Sequence, residues 1–407
     1  MRLTETVSGL VGFKRRGPGT DAERRASIWL GDELARTGRD VRVEPFWCRP
    51  NTALAHTWHV ALAIAGSLIA IPSHTVGAVL VAIALVSIVA DATAGVSLGR
   101  RLTLEHASQN VIATSPKATS QPVRLIITAN YDAGRAALAY RDVFRSTCAR
   151  LRKLLGDRAP GWIAWLAIAT AWLLLTAILR IAGVSKSTVG AVQVIPTIGL
   201  VIAVPLLLDL AGADWSPGAN DNASGVAVAM SLASALDAAP PAGVAVDLVL
   251  TGAGEGGGIG LRKYLRANRS TLQPSNAVVL GIAPTGGGRP RWWVGDGQFI
   301  AFRTSATLKR LATETAAGEP HLNAAPHRGR GATPAQPALK RRLPAIAIGC
   351  LDARGLAPRS HRPDDIPEHI DPEAMDDALQ FALMLVDAIG EYVENNPVAP
   401  ARASTPA

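Results

Sequence analysis

Residues 216–236 read SPGANDNASGVAVAMSLASAL. The pair Pro217-Gly218 marks a turn, and the chain then runs through Asn220, Asp221 and Asn222 into the small-residue helical pattern Ala223–Leu236. A strand-like run, Val244–Leu250, follows, and after it the glycine-crowded turn of VDLVLTGAGEGGGIGLRKYL, Val246–Leu265, with one carboxylate, Glu255. Strand, turn and helix in that order are the grammar of an α/β protein.

The glycine turn has three readings. Gly252, Gly254 and Gly257 fit the dinucleotide pattern G-x-G-x-x-G, which calls for an acid about 20 residues later. No Asp or Glu lies between Glu255 and Asp296, and no Walker lysine pattern is present. In the structural reading, the glycines allow a tight turn and Glu255 faces the positive end of a helix starting near Gly257. In the third, Glu255 belongs to a metal or catalytic site. Asp221 likewise could serve only to open a helix, and His361 could be a loop histidine beside Asp364 and Asp365.

Elsewhere the polar sequence alternates in the same way. Helical patterns fall near Asp21–Thr37, Leu261–Arg269, Thr304–Ala316 and Pro372–Glu394; strand-like runs fall at Val41–Phe46, Val111–Ala113, Val123–Thr128, Ala277–Leu280 and Ala345–Ile348. Hydrophobic residues make up 48% of the 407, and four apolar segments reach the roughly 20 residues a helix needs to cross a bilayer. They lie near Leu54–Pro72, Thr75–Gly95, Gly161–Leu179 and Val189–Leu208. Paired, they predict two transmembrane hairpins, 54–95 and 159–208, inserted into one discontinuous domain of residues 1–53, 96–158 and 209–394. A disordered tail is expected over 395–407.

Arg36, Arg39, Arg42, Arg49, Arg100 and Arg101 flank the first hairpin, and Arg141, Arg145, Arg150, Arg152, Lys153 and Arg158 precede the second. The connection Ser73–Thr75 has no basic residue, which puts the polar domain in the cytoplasm of a multi-pass protein. In RDVFRSTCARLRKLLGDR, Phe144, Cys148, Leu151 and Leu155 recur at helical spacing among basic residues, as in a helix lying on anionic lipid or one packed on the domain. The net charge of +9 comes without any RNP, finger or helix-turn-helix signature, so no nucleic-acid partner is expected. Cys48, Cys148 and Cys350 form no disulfide framework, as suits a reducing compartment. The opening residues do not read as a signal peptide.

The decapeptide GANDNASGVA, Gly218–Ala227, resembles the G-A-[DN]-D-N-A-S-G-V-A of the di-zinc aminopeptidase family, which includes glutamate carboxypeptidase-like and glutaminyl cyclase-like metallopeptidases. The likeness extends to NVIATSPKATSQPVRLIITANYDAG (Asn110–Gly134), to TGAGEGGGIGLRKY and to SHRPDDIPEHIDPEAM (Ser360–Met375). It implies an α/β fold with a mixed central sheet flanked by helices, into which the hairpins are inserted.

Carried over residue by residue, the resemblance implies metal ligands at Asp221, Glu255 and His361, with Asp132 and Asp365 supporting them. It also implies losses. A ligating His is replaced by Asn130, whose amide oxygen is a poor zinc ligand. A second ligating Asp is replaced by Gly281, the catalytic Glu by Gly254, and a Tyr before the last His by Ser360. The expectation is therefore at most one zinc ion and no catalytic residue in place. The chain would be a pseudopeptidase binding a peptide or another protein at the membrane lipid. The competing expectation is a single-zinc aminopeptidase-type hydrolase with a base from elsewhere, His327 or Glu319. Transport through the spans has little support, because they carry few polar groups.

Overall fold

The structure, a computed structural model, describes residues 3–115, 121–156 and 159–396. The tail expected over 395–407 lies, from 397 onward, outside the described residues. Nine strands among them form one sheet: β1 (Asp40–Cys48), β2 (His106–Thr114), β3 (Val123–Asn130), β4 (Val244–Thr251), β5 (Ala277–Ile282), β6 (Arg289–Asp296), β7 (Phe302–Arg303), β8 (Ala325–Arg328) and β9 (Ala345–Leu351). Their order is β1-β2-β4-β3-β5-β9-β6-β7, with β8 also pairing with β6.

The centre, β4-β3-β5-β9, is parallel; the pairings β1-β2, β2-β4, β9-β6 and β6-β7 are antiparallel, and β8 lies parallel to β6. The sequences VAVDLVLT of β4 and VRLIITAN of β3 are nearly continuous apolar runs, as strands covered on both faces require. One face packs on α1 (Leu3–Val11), α2 (Asp21–Ala35), α9 (Gly225–Ala238), α11 (Ala306–Gly318) and α13 (Pro372–Asn395), with Leu30, Val226, Met230 and Phe381 in the core. The other packs on α10 (Ile259–Ala267) and α12 (Gln336–Lys340) through Leu261, Tyr264 and Leu339. Small residues such as Gly225, Ala227 and Ala229 let α9 approach the sheet closely.

The sequence reading missed α1 and the strands β6, β7 and β8. β6, RPRWWVGD, mixes arginines and a proline with its tryptophans, and β7 and β8 are only 2 and 4 residues long. β6 is paired on both sides but its charged and proline residues interrupt the apolar run, and β7 and β8 are too short to show a period.

The chain leaves the sheet twice between β1 and β4. Helices α3 (Thr52–Ile69) and α4 (His74–Ala94) form the first hairpin; α7 (Trp162–Ile181) and α8 (Lys186–Gly212) form the second. All four are long and apolar enough to cross a membrane. They pack on one another as a bundle around Val60, Ala63, Val81, Ala84, Leu173 and Leu200. Outward-facing Val79, Val86, Leu175, Ile195 and Ile202 remain exposed, so the bundle is apolar outside as well as inside.

The first hairpin is fixed to the domain by a buried polar joint. Asp91, near the end of α4, accepts from Arg100 Nε and from the Ser97 hydroxyl, the latter at 3.0 Å, and lies 3.3 Å from His56 Nε2. His59 lies 3.2 Å from His56 and accepts from Gly99 N–H at 3.2 Å. Arg100, on the short helix α5 (Leu98–Arg101), also donates to the carbonyls of Arg49 at 2.8 Å and Gly256 at 3.2 Å. Gly256 lies in the glycine turn. Buried charges of this kind persist only when paired, and losing one partner typically costs about 3–5 kcal/mol.

Candidate metal site

Asp221, Glu255 and His361 come from three distant parts of the chain, yet their donor atoms all lie within 4.8 Å of one another. His361 Nε2 is 3.4 Å from Asp221 Oδ2 and 3.3 Å from Glu255 Oε2. Among the described residues this is the one such group of His, Cys, Asp and Glu side chains.

Two buried carboxylates hold the backbones that carry the acids. Asp132, just beyond β3, accepts the N–H groups of Gly254 at 3.0 Å and Glu255 at 2.9 Å. Asp365 accepts those of Asn220 at 2.7 Å and Asp221 at 3.1 Å. Asn222 bridges the two halves, donating from Nδ2 to Glu255 Oε1 at 2.9 Å and to the Asp132 carbonyl at 3.1 Å. The Ser360 hydroxyl donates to Asp221 Oδ2.

His361 has a φ of +59°, in the left-handed region, and its Nδ1 lies 3.3 Å from the Arg135 carbonyl. With the proton on Nδ1, the Nε2 lone pair is turned to the two acids. Tyr140 stacks on the imidazole at 4.1 Å between ring centres. Gly134 is glycine for a steric reason: a Cβ there would stand 2.2 Å from His361 Cε1 and 3.0 Å from Glu255 Oε2.

Burial, and then the neighbouring Asp221, pushes Glu255 up to about 8, although the Asn222 hydrogen bond opposes the shift. Burial and Glu255 push Asp132 up to about 8 against the pull of its backbone donors. Burial likewise raises Asp365 to about 7. Two carboxylates and an imidazole, crowded together and short of a counter-charge, are a donor set that fits a zinc ion.

The other positions are closed. The Asn130 amide oxygen accepts from the Thr251 hydroxyl at 2.8 Å. A Cβ on Gly281 would stand 2.5 Å from the backbone nitrogen of Ala335, so that space belongs to another segment. A Cβ on Gly254 would stand 2.1 Å from Asn130 Cγ, so the departures at 130 and 254 occupy a single space.

The structure corrects three sequence expectations. Glu255 does not serve a helix end: α10 starts at Ile259, and the carboxylate faces His361. His327 lies edge-on to Trp293, and burial with Arg152, Arg291 and Arg330 lowers it to about 4. Glu319 pairs with His321 at 3.2 Å, and neither candidate base joins the trio. Asp132 and Asp365, expected to support the ligands, are both buried.

Sequence reading also missed Glu23, Arg16 and Tyr140. Glu23 is fully buried behind the glycine turn, accepting from Gly19 N at 2.7 Å, Ala253 N at 2.8 Å and the Ser108 hydroxyl at 3.0 Å. Burial and Asp132 raise it to about 8. The spacing Thr20-x-x-Glu23 is the available signal, because it marks a helix start where an acid folds back on backbone N–H groups.

With sheet and site described, the class of fold is clear: it is that of the zinc aminopeptidases. A zinc aminopeptidase from Bacillus subtilis, BSAP, matches with a TM-score of 0.54 at 14% identity over 96% of this chain and 94% of its own. The LapA aminopeptidase of Legionella pneumophila matches at 0.53 and 11% identity, over 96% and 71%. A glutaminyl cyclase from Porphyromonas gingivalis matches at 0.51 and 13% identity, over 97% and 96%. At sequence level, residues 206–386 match peptidase family M28, and the resemblance to di-zinc aminopeptidases and glutaminyl cyclases stands. No curated protein matches the sequence.

Two outcomes follow from the site. Gly254→Ala is expected to destabilise the protein by about 1–3 kcal/mol through overpacking, and Asn130→Gly in the same chain to recover most of that loss. Additive effects in a double-mutant denaturation cycle would refute the shared space. Glu23, Asp132 and Glu255 keep their protons to about 8, against ordinary values of 4.5, 3.8 and 4.5. The folded state thus binds protons the unfolded chain has released, a contribution present at low pH and lost as pH rises through about 8. Metal-free protein should melt lower at about pH 8.5 than at about pH 6, and added zinc should narrow the gap by holding Glu255 ionised. A higher melting temperature at the alkaline end contradicts this.

Proposed function

We propose that the chain is a membrane-held relative of the M28 peptidases that binds at most one zinc ion, through Asp221, Glu255 and His361, and has lost hydrolysis. The observation carrying this reading is the filled space at Gly254. The position that the family resemblance gives to the catalytic acid is a glycine pressed on Asn130, and the position of a second-metal ligand, Gly281, is pressed on Ala335. The buried carboxylates around the trio are committed to backbone N–H groups, as Asp132 and Asp365 show. None is poised to take a proton from water, a step worth on the order of 10²–10⁴ in rate. Zinc bound here would supply Lewis acidity.

What the residues can do is bind. Asp221, Glu255 and His361 would hold the ion, with Tyr140 stacked on the imidazole beside it. That arrangement suits the amino-terminal group of a peptide or protein. The domain is read as discontinuous, over 1–53, 96–158 and 209–394, with hairpins 54–95 and 159–208 spanning the membrane and the domain in the cytoplasm. Supporting this, the bundle keeps an apolar exterior and the basic residues cluster on the domain side.

Metal analysis of the purified protein should give about one zinc or none, and a broad aminopeptidase substrate panel should show no turnover that Glu255→Ala or His361→Ala removes. Two zinc ions per chain would refute the ligand count. Activity abolished by both substitutions would establish the single-zinc hydrolase instead. A reporter fused to the carboxyl terminus should read as cytoplasmic; an external reading would overturn the topology.

A further inference from the structure

The amphipathic helix α6 (Asp142–Leu155) ends seven residues before α7 begins, and only one of its faces touches the domain. On that face Arg145 donates to the Ala357 carbonyl at 2.6 Å, and the Ser146 hydroxyl accepts from Arg354 at 3.3 Å. The opposite face carries Val143, Phe144, Cys148, Leu151, Leu154 and Leu155, all exposed, with Leu154 83% accessible. Successive residues advance by about 100°, so these six form one continuous stripe, with Arg150 and Arg152 flanking it on either side. A helix that buries its arginine side and leaves its leucine side open is inverted for a protein surface facing water.

Beside α6 lies a cleft of about 560 Å³, lined by Arg150, Arg152, Lys153, Arg330 and Arg354 among others, with no acidic residue among the described residues of its lining. Some of these cations have partners: Arg354 pairs with Asp352, and Arg330 donates to the Ala159 carbonyl. Net positive charge nevertheless gathers at the point where the chain enters α7.

We propose that α6 lies in the surface of the bilayer that the hairpins cross, with its apolar stripe among the acyl chains and its basic edge and cleft holding the phosphate headgroups of anionic lipid. The position in sequence next to α7, the exposed stripe and the clustered basic side chains select this occupant over a second copy of the chain, whose own α6 would bring like charge to the contact. The inference rests on the membrane reading of the hairpins.

Cys148 permits a direct test, since it sits on the stripe and is exposed while Cys48 and Cys350 are buried. The full chain is labelled there with a nitroxide and placed in nanodiscs of phosphatidylcholine alone or mixed with phosphatidylglycerol. Collision with oxygen is then compared with collision with a water-soluble nickel chelate. In the mixed discs the label should favour oxygen, as a group among acyl chains does, and in neutral discs it should shift towards the nickel reagent. Arg150→Glu with Lys153→Glu, and separately Leu151→Ser with Leu154→Ser, should make it water-like in the mixed discs.

A label that stays nickel-accessible in both lipids overturns the proposal. So does one shielded from both reagents, which would mean that protein covers the stripe. If inorganic phosphate added to neutral discs reproduces the mixed-disc signal, the cleft takes free phosphate and the lipid assignment fails. A chain that does not enter discs at all refutes the membrane reading itself, whereas one that enters with a wet label refutes only the role of α6.

Discussion

One carboxylate joins the sheet to the site. Asp132 leaves the end of β3 and accepts two successive N–H groups from the turn that ends β4, those of Gly254 and Glu255. β3 and β4 are parallel neighbours at the centre of the sheet, so this clamp forms wherever the sheet forms. Glu255 is then aimed by its backbone, before its own side chain makes any contact. Asp365 treats Asn220 and Asp221 in the same way from the far end of the chain, so each acid of the trio is set by a second acid that never meets a ligand.

Such a design gathers negative charge where water is scarce. Glu23, Asp132, Glu255 and Asp365 are all raised, with burial as the leading cause in each. Arg16, completely buried, supplies part of the balance, and its guanidinium donates to the carbonyls of Leu10, Tyr131 and Gly218. The amino-terminal helix α1 is therefore tied to the site through Leu10, though it carries no residue of the trio.

Much of this was legible in the sequence, and the reasons are local. The parallel strands announce themselves by apolar runs, and GANDNASGVA and the glycine turn place Asp221 and Glu255 on the structure they occupy. His361 was found by its motif, not by any physical pattern. What stayed hidden depends on contacts between distant segments. Nothing in Leu138–Tyr140 says that a tyrosine will lie flat on an imidazole 221 residues later. Nor does a glycine at 254 reveal that an asparagine at 130 fills the volume beside it, because crowding is a property of two chain segments and sequence shows one at a time. Nothing in the helical pattern around Glu23 shows that the strand at Ser108 and the turn at Ala253 close over it.

The guanidinium of Arg100 touches both Asp91 in the first hairpin and the carbonyl of Gly256, next to Glu255. Hairpin and turn consequently share a hinge pin: neither can swing without stripping the same cation of a partner. A load applied along the hairpin has a stiff path, a few bonds long, to the loop that aims one of the acids. The first hairpin is thus mechanically much closer to Glu255 than it is along the chain.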